Sequence, residues 1–266
     1  MRLKLVADVG PADSSEGDWA CFAEPLVTSG VPTQAVTVFD SAKKAGVRAN
    51  ALKKLPEPEA SLNARWRFDE KKGPRANDDS GNENHGVVNA AARVEGSRGG
   101  ALRFDGTSSF IAVNGSAELT PAAFTLVARV NPASFQASDM GPIVLSKYGG
   151  NYKGYVLYLE RGGRPGLRLS TASGKKLATL QAPDAITLNG WHQLAATYDG
   201  ATASLYVDGV LKKSAAAELM HDEAVPLTIG KGSWFNGGYF TGLIDEVAVY
   251  GRALTAGEIA GLYAGH

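Results

Sequence analysis

The clearest pattern of apolar and polar positions lies at 191–213, WHQLAATYDGATASLYVDGVLKK. Between Asp199-Gly200 and Asp208-Gly209, the apolar Ala203, Leu205 and Val207 alternate with Thr202, Ser204 and Tyr206. A period of two is that of a strand with one buried face. Glycine reaches φ > 0 without a Cβ clash and aspartate tolerates it, so each Asp-Gly pair predicts a tight turn. The run therefore predicts three short strands joined by two turns, with Trp191 filling the core.

Comparable patterns recur from about residue 61 onward. They predict strands over 65–68, 101–104, 110–113, 124–130, 143–147, 155–160, 167–170, 192–198, 204–207, 227–230 and 242–250. Turn residues separate nearly all of them, and no long helical pattern intervenes. Evenly spaced short strands of this kind predict an all-β fold, an antiparallel sandwich or barrel. One helix stands apart at the C-terminus. Thr255 and Glu258 are spaced as a capping box, Leu254 precedes them as a staple, and Ile259 and Leu262 give an apolar stripe.

Residues 1–60 differ in character and are read as an extension to a domain spanning 61–266. Apolar stretches at 3–9 and 35–39 flank a turn-rich segment. A basic stretch follows, with Lys43, Lys44, Arg48, Lys53 and Lys54 on the solvated face of a short helix. Pro56 and Pro58 end that helix, and Pro-Glu-Pro-Glu reads as an extended linker.

Composition removes several function classes. With 27 basic and 27 acidic residues, the chain offers no broad field for nucleic acid or an anionic membrane. No apolar run approaches the length of a membrane-spanning helix, so no membrane insertion is expected. Cys21 is alone, which rules out a disulfide within the chain. The N-terminal residues lack the apolar length of a signal peptide.

Several segments line up in a definite order. They are Arg65-Trp-Arg-Phe-Asp-Glu, Asp78-Asp-Ser-Gly-Asn-Glu-Asn-His-Gly, Gly99-Gly-Ala-Leu-Arg-Phe-Asp-Gly106 and Phe124-Thr-Leu-Val-Ala-Arg-Val. Trp191-His-Gln-Leu, Tyr206-Val-Asp-Gly209, Gly242-Leu-Ile-Asp-Glu-Val-Ala-Val-Tyr and Arg252-Ala-Leu-Thr-Ala-Gly-Glu-Ile259 follow. Over 61–266 the chain thereby resembles the laminin-G-like, concanavalin A-like jelly-roll domains. The resemblance implies two curved antiparallel sheets with a concave face, and often a bound Ca²⁺. It leaves function open, because the scaffold carries lectins, adhesion modules, hydrolases and lyases alike. The stretch 6–27, VADVGPADSSEGDWACFAEPLV, is similar to the closing strands of a galactose-binding-like sandwich. On that reading it is the remnant of a preceding domain of a larger protein; on the other, it supplies edge strands to this one.

Candidate chemistry follows from residue type and spacing. Asp78, Asp79, Asn82 and Asn84 crowd a glycine-containing loop, and Asp245 is the acid another strand could add. Hard oxygen donors of this kind suit a structural Ca²⁺, although the same side chains also hold turns through Asx bonds. No Cys or His cluster points to zinc or copper. A retaining glycosidase needs two carboxyls about 5–5.5 Å apart. The close acidic pairs here, Asp69-Glu70 and Asp245-Glu246, are adjacent, and adjacent strand residues point to opposite faces. For a lyase, His192 and Tyr198 are the available base and acid.

Two loops are richer in binding groups. One carries Lys147, Tyr148, Asn151, Tyr152 and Tyr155, and the other Trp234, Phe235, Asn236, Tyr239 and Phe240. Aromatic rings beside amide and ammonium donors suit a sugar, whose apolar face stacks while its hydroxyls hydrogen-bond. For Tyr155 and Phe240 in particular, packing into the core is the competing reading. Lys231-Gly-Ser-Trp lacks the acidic run of a pentraxin-type calcium site. The function expected is a non-catalytic carbohydrate-binding or adhesion module, extracellular or periplasmic and fused to other domains. Its ligand is a polysaccharide laid on the concave face. A polysaccharide-cleaving enzyme and a protein–protein module are the alternatives.

Overall fold

The computed structural model describes residues 58–136, 141–151, 153–170 and 177–265, together with 2–3 and 25–26. The chain divides into two compact units, Met1–Leu55 and Pro56–His266. In the first, β1 (Arg2–Leu3) pairs antiparallel with β2 (Pro25–Leu26). The basic helix, the first half of the linker and most of the N-terminal sandwich motif lie outside the described residues, while Pro58–Ser61 form a 3-10 turn where an extended linker was expected.

The second unit is built almost entirely of strands. In chain order they are β3 (Leu62–Trp66), β4 (Arg75–Ala76), β5 (Gly86–Asn89), β6 (Ala92–Glu95), β7 (Gly100–Asp105) and β8 (Phe110–Val113). Then come β9 (Phe124–Ser134), β10 (Ile143–Tyr148), β11 (Gly154–Leu159), β12 (Pro165–Ser170) and β13 (Leu177–Gln181). β14 (His192–Tyr198), β15 (Thr202–Val207), β16 (Val210–Ala216), β17 (Leu227–Ile229) and β18 (Thr241–Tyr250) complete the set. Two antiparallel sheets result. The first has the order β13-β12-β11-β10-β17-β8-β5-β4, and the second β16-β15-β14-β9-β18-β7-β6, with β3 also on β18.

Residues 191–213 fold as their pattern predicts, into β14, β15 and the start of β16. The Asp199 carboxylate accepts the Ala201 and Thr202 amides at 2.9 and 2.7 Å, closing the first turn. Asp208 and Gly209 take φ of 51° and 77° at the second, the left-handed pair that a two-residue hairpin requires. Trp191 does not fill the core: it is half-buried at the strand entrance, while Leu194, Ala196 and Tyr198 of β14 face inward.

The core between the sheets is aromatic at its centre. Phe124 lies 5.2 Å from Tyr155 and 5.8 Å from Tyr198, ring centre to ring centre, and Phe104 meets Phe240 edge-on at 6.3 Å. Tyr155 and Phe240 are therefore core residues, as the competing reading of those loops had them. Each such ring removes roughly 200 Å² from water, about 4–5 kcal/mol before the entropy cost of ordering it. Their polar edges are satisfied: Trp66 Nε1 donates to Asn84 O and Tyr155 Oη to Leu119 O, both at 2.9 Å.

The C-terminal helix α1 (Ala256–Ala264) covers the outer face of the second sheet. Thr255 Oγ1 accepts the Glu258 amide, and Glu258 accepts the Thr255 amide at 2.7 Å, completing the capping box. Leu254 and Ile259 are buried in one cluster with Val127, Ala195, Tyr206 and Ala248, which is the hydrophobic staple in place. Arg252 clamps Glu258 from the preceding loop at 2.9 Å. Among the described residues no helix is long and apolar enough to cross a membrane.

The Arg252 guanidinium holds the Glu258 carboxyl down at about 2. A carboxyl whose folded pKa is lowered contributes stability above its unfolded value near 4.5, and loses it as pH falls through the folded value. Glu258→Gln should cost about 1–2 kcal/mol at pH 7. In urea unfolding followed across pH, the gap between parent and variant should narrow from about pH 4.5 down to about pH 2.

Candidate functional site

Strand alternation sorts the residues of β10. Leu145 and Lys147 point into the sandwich, while Ser146 and Tyr148 point outward. On β11, Tyr155, Leu157 and Leu159 face the core, whereas Val156 and Tyr158 face out. The outward side chains are apolar and need a cover. Loop 231–240 supplies it, laying Trp234 and Phe235 over Ile143, Tyr148, Val156 and Tyr158.

The loop is fastened by serine. Ser233 Oγ accepts the Tyr148 amide and donates to the Tyr148 carbonyl, both at 2.8 Å, and Ser146 Oγ sits 2.8 Å from it. Trp234 then packs edge-on to Tyr148 at 4.8 Å and against Phe235 at 4.6 Å. Gly232 and Gly237 flank the Phe235 ring, and a Cβ at either would collide with it. Further along, Tyr239 Oη donates to Asn236 Oδ1 at 2.5 Å. The Lys231 ammonium lies 4.3 Å from the Phe110 ring centre and 5.7 Å from that of Tyr239. Trp234, Phe235, Tyr239, Phe110 and Lys231 are each half-buried and Asn236 is exposed, so a strip of rings and polar groups reaches solvent.

The two predicted loops thus meet, but not all their residues serve one surface. Tyr148, Trp234, Phe235, Asn236 and Tyr239 come together, with Tyr148 as floor rather than contact surface because it is only 5% exposed. Lys147 does not join them. Its ammonium turns inward and donates to the carbonyls of Asp222 and Glu223 at 3.2 Å and to that of Val225. Burial holds it below the usual lysine range. Asn151 is exposed but donates to Asp222 at 2.6 Å, tying its loop to 222 rather than to the strip. Tyr152 lies outside the described residues. Phe110 and Lys231 were not anticipated. The alternation in 110–113 placed Phe110 on a strand, but only the sheet order brings it beside loop 231–240.

The residues offered for Ca²⁺ receive separate sets of partners. Asn82 and Asn84 turn their NH₂ groups to the Asn63 carbonyl at 3.0 and 3.1 Å, and Asn84 Oδ1 accepts from Ser116. Asp78 takes three donors from its own loop, Ser80 N, Ser80 Oγ and Asn84 N, and a fourth, the Arg65 amide, from β3, and so organises the turn. Asp79 faces Arg67 at 3.6 Å. Asp245 is buried beneath a different turn, where Oδ2 accepts the Ser97 amide, the Ser97 hydroxyl and the Arg98 amide. These arrangements present amide donors and guanidinium neighbours where a cation needs oxygen. Among the described residues no group of three or more His, Cys, Asp or Glu side chains is arranged to hold a metal ion.

The lyase pair is separated by its own strand. His192 and Tyr198 stand at opposite ends of β14, roughly 20 Å apart at about 3.4 Å per residue. His192 is held between Asp208 at 2.8 Å and Thr187 at 2.9 Å, and Tyr198 Oη donates to Gly200 O at 2.8 Å.

A two-sheet antiparallel sandwich whose loops lie on a sheet face defines a jelly-roll domain of the concanavalin A type. A sequence profile described as the concanavalin A-like lectin/glucanases superfamily matches residues 105–260, more than half of the chain. The chain belongs to that superfamily. No curated protein sequence is recognisably similar to it. Among solved structures, the binding domain of Paraclostridial Mosquitocidal Protein 1 superposes with a TM-score of 0.63 at 17% identity, over 78% of this chain and 52% of that one. Domain 4 of AbnA, a GH43 extracellular arabinanase from Geobacillus stearothermophilus solved with arabinotriose, gives 0.61 at 21% identity over 76% and 98%. The binding domain of botulinum neurotoxin DC, in complex with rat synaptotagmin II, gives 0.62 at 10% over 78% and 52%. The chain thus spans about half the length of the toxin binding domains. At these identities the likeness is one of fold.

Replacing Lys147 by Met should expose the role of its ammonium. The three carbonyls it caps would lose their donor inside the sandwich, so unfolding in guanidinium should show a loss of about 2–4 kcal/mol.

Proposed function

We propose that the second unit is a non-catalytic carbohydrate-binding module, and that a glycan chain lies along the strip formed by Trp234, Phe235, Tyr239 and Phe110. The observation that carries this is the state of Trp234: fixed by Tyr148 and Phe235, yet only half-buried. A large ring held rigid at a solvent boundary loses little entropy when a pyranose or furanose face stacks on it. Asn236 and Lys231 stand beside the rings to meet hydroxyls. The arabinanase domain solved with arabinotriose supports a sugar ligand on this scaffold. The same relative supports a place outside the cell and within a longer protein. Asp245, His192 and Tyr198 are engaged in structural contacts, which supports a module without chemistry of its own.

Affinity electrophoresis of the full chain through gels containing arabinan, xylan, β-glucan or galactan tests the reading. Retardation in at least one gel is expected. Trp234→Ala and Tyr239→Ala should each weaken it about tenfold or more, roughly 1.4 kcal/mol, with the melting midpoint followed in parallel. Migration unchanged in every gel, or both variants behaving like the parent, would overturn it. New reducing ends released from any of these polysaccharides would replace it with the enzyme. Capture of a protein partner by a chain that ignores glycans would replace it with the interaction module.

A further inference from the structure

One hollow of the domain lies away from the aromatic strip. It lies on the outer face of the other sheet, beside α1, with a volume of about 470 Å³. That falls within the range of about 300–1,000 Å³ typical of small-molecule sites. Val127 and Ala248 give it a small, apolar floor, and Leu262 of α1 forms one wall. Its rim is charged with both signs: Arg65, Arg67, Arg98 and Arg129 line it together with Glu59, Asp69, Glu246 and Gln193.

The arginines are not equivalent. Arg65 is paired with Glu59 and Arg67 with Asp79. Arg98 and Arg129 instead donate to backbone carbonyls, meeting at Tyr263 O at 3.1 and 2.7 Å. Among the described residues neither has a carboxylate within 4.0 Å. Two like charges converge on one carbonyl, which satisfies a hydrogen bond but neutralises neither. Burial, and then the Arg98 charge, hold the Arg129 guanidinium below its usual range. Across the pocket are acceptors that lack donors. Gln193 is only 2% exposed, and its Oε1 has no hydrogen-bond partner among the described residues. A buried acceptor left unpaired costs about 1–3 kcal/mol, so a ligand that donates to it is favoured. Glu246 holds a left-handed φ of 49°, which turns it into the same space.

We infer that this pocket binds a sugar acid, with its carboxylate between Arg98 and Arg129 and its neighbouring hydroxyls donating to Gln193 Oε1 and Glu246. A bare anion would satisfy the guanidiniums but not the two acceptors, and would meet Glu246 as a like charge. A neutral sugar would do the reverse. A hydroxy-carboxylate supplies both halves, since guanidinium matches a carboxylate through paired N–H donors while hydroxyls serve the acceptors. The inference stands apart from the glycan reading, because the pocket and the strip belong to different sheets.

Isothermal titration of the full chain with D-glucuronate and D-galacturonate tests it, with glucose, galactose and inorganic phosphate as comparisons. At least one uronate should bind, ten times or more tighter than its neutral counterpart, and more weakly in high salt. Arg98→Gln, on an exposed turn, and Gln193→Met, of similar volume, should each weaken it five- to tenfold or more, while the exposed Lys213→Gln leaves it as in the parent. Absence of heat with both uronates, or equal binding of neutral sugars, would overturn the inference. Phosphate binding without uronate binding would reduce the pocket to a simple anion site and overturn it too. So would both pocket variants binding like the parent with unchanged melting midpoints.

Discussion

Much of this domain depends on one strand changing its neighbour. β18 lies at the heart of the second sheet, paired with β9 along one side for nearly its whole length. On its other side it pairs with β7 at Thr241–Ile244 and with β3 at Val247–Tyr250. No single partner spans the gap. The register slips between Asp245 and Ala248, and Glu246 takes a positive φ there, so the strand carries a bulge. The junction is held because Asp245 reaches the turn between β6 and β7 and accepts three donors from Ser97 and Arg98. Burial pushes its carboxyl above the usual range, so those donors offset a real desolvation cost. That anchor ties the β6–β7 turn to the point where β18 passes from β7 to β3.

The same bulge explains why the second sheet has a hollow. A bulge interrupts the strict alternation of faces, so Asp245, Glu246 and Ala248 lie on the outer side while Ile244 and Val247 stay in the core. β3 and the turn ahead of β7 diverge at this point, and the space between them is lined by Arg67, Asp69, Arg98 and Gly99. The outer faces of the two sheets are therefore finished differently. On the second, α1 covers the apolar part and leaves a charged cleft beside it. On the first, a glycine-rich loop lies flat and leaves a shallow row of rings. Both covers are required because the central strands are apolar on both faces: β10 and β11 are buried throughout.

What could be read in the sequence follows from the range of the interactions. The Asp-Gly hairpins and the capping box are complete within a few residues, and both fold as their residues predict. Short strands such as β5 and β6 escape, because four residues with mixed burial carry too little alternation to stand out. Lys147 is the instructive failure. A lysine beside a tyrosine and a glycine-rich loop reads as a surface donor, and only the chain at 222–225, distant in sequence, turns it into a buried cap for three carbonyls. The adjacent acids Asp245 and Glu246 fail for a related reason. The rule that neighbours point to opposite faces holds for a regular strand, and the bulge is a property of the pairing, not of the dipeptide.

Net charge misled in the same way, through scale. Equal numbers of acids and bases exclude a broad field over the surface, but they say nothing about one pocket. Exposed charges more than about 8 Å apart are largely screened at physiological ionic strength, so each cleft sees its own walls and little else. Here one surface gathers Arg98 and Arg129 around a backbone carbonyl, far along the chain from one another. Arg129 is on β9, in the middle of a sheet, and Arg98 is on the β6–β7 turn, which donates to the Asp245 anchor. The local field is thus a consequence of topology. It arises where the strand changes partners, and it is invisible to composition because the two arginines meet only through the pairing of distant strands.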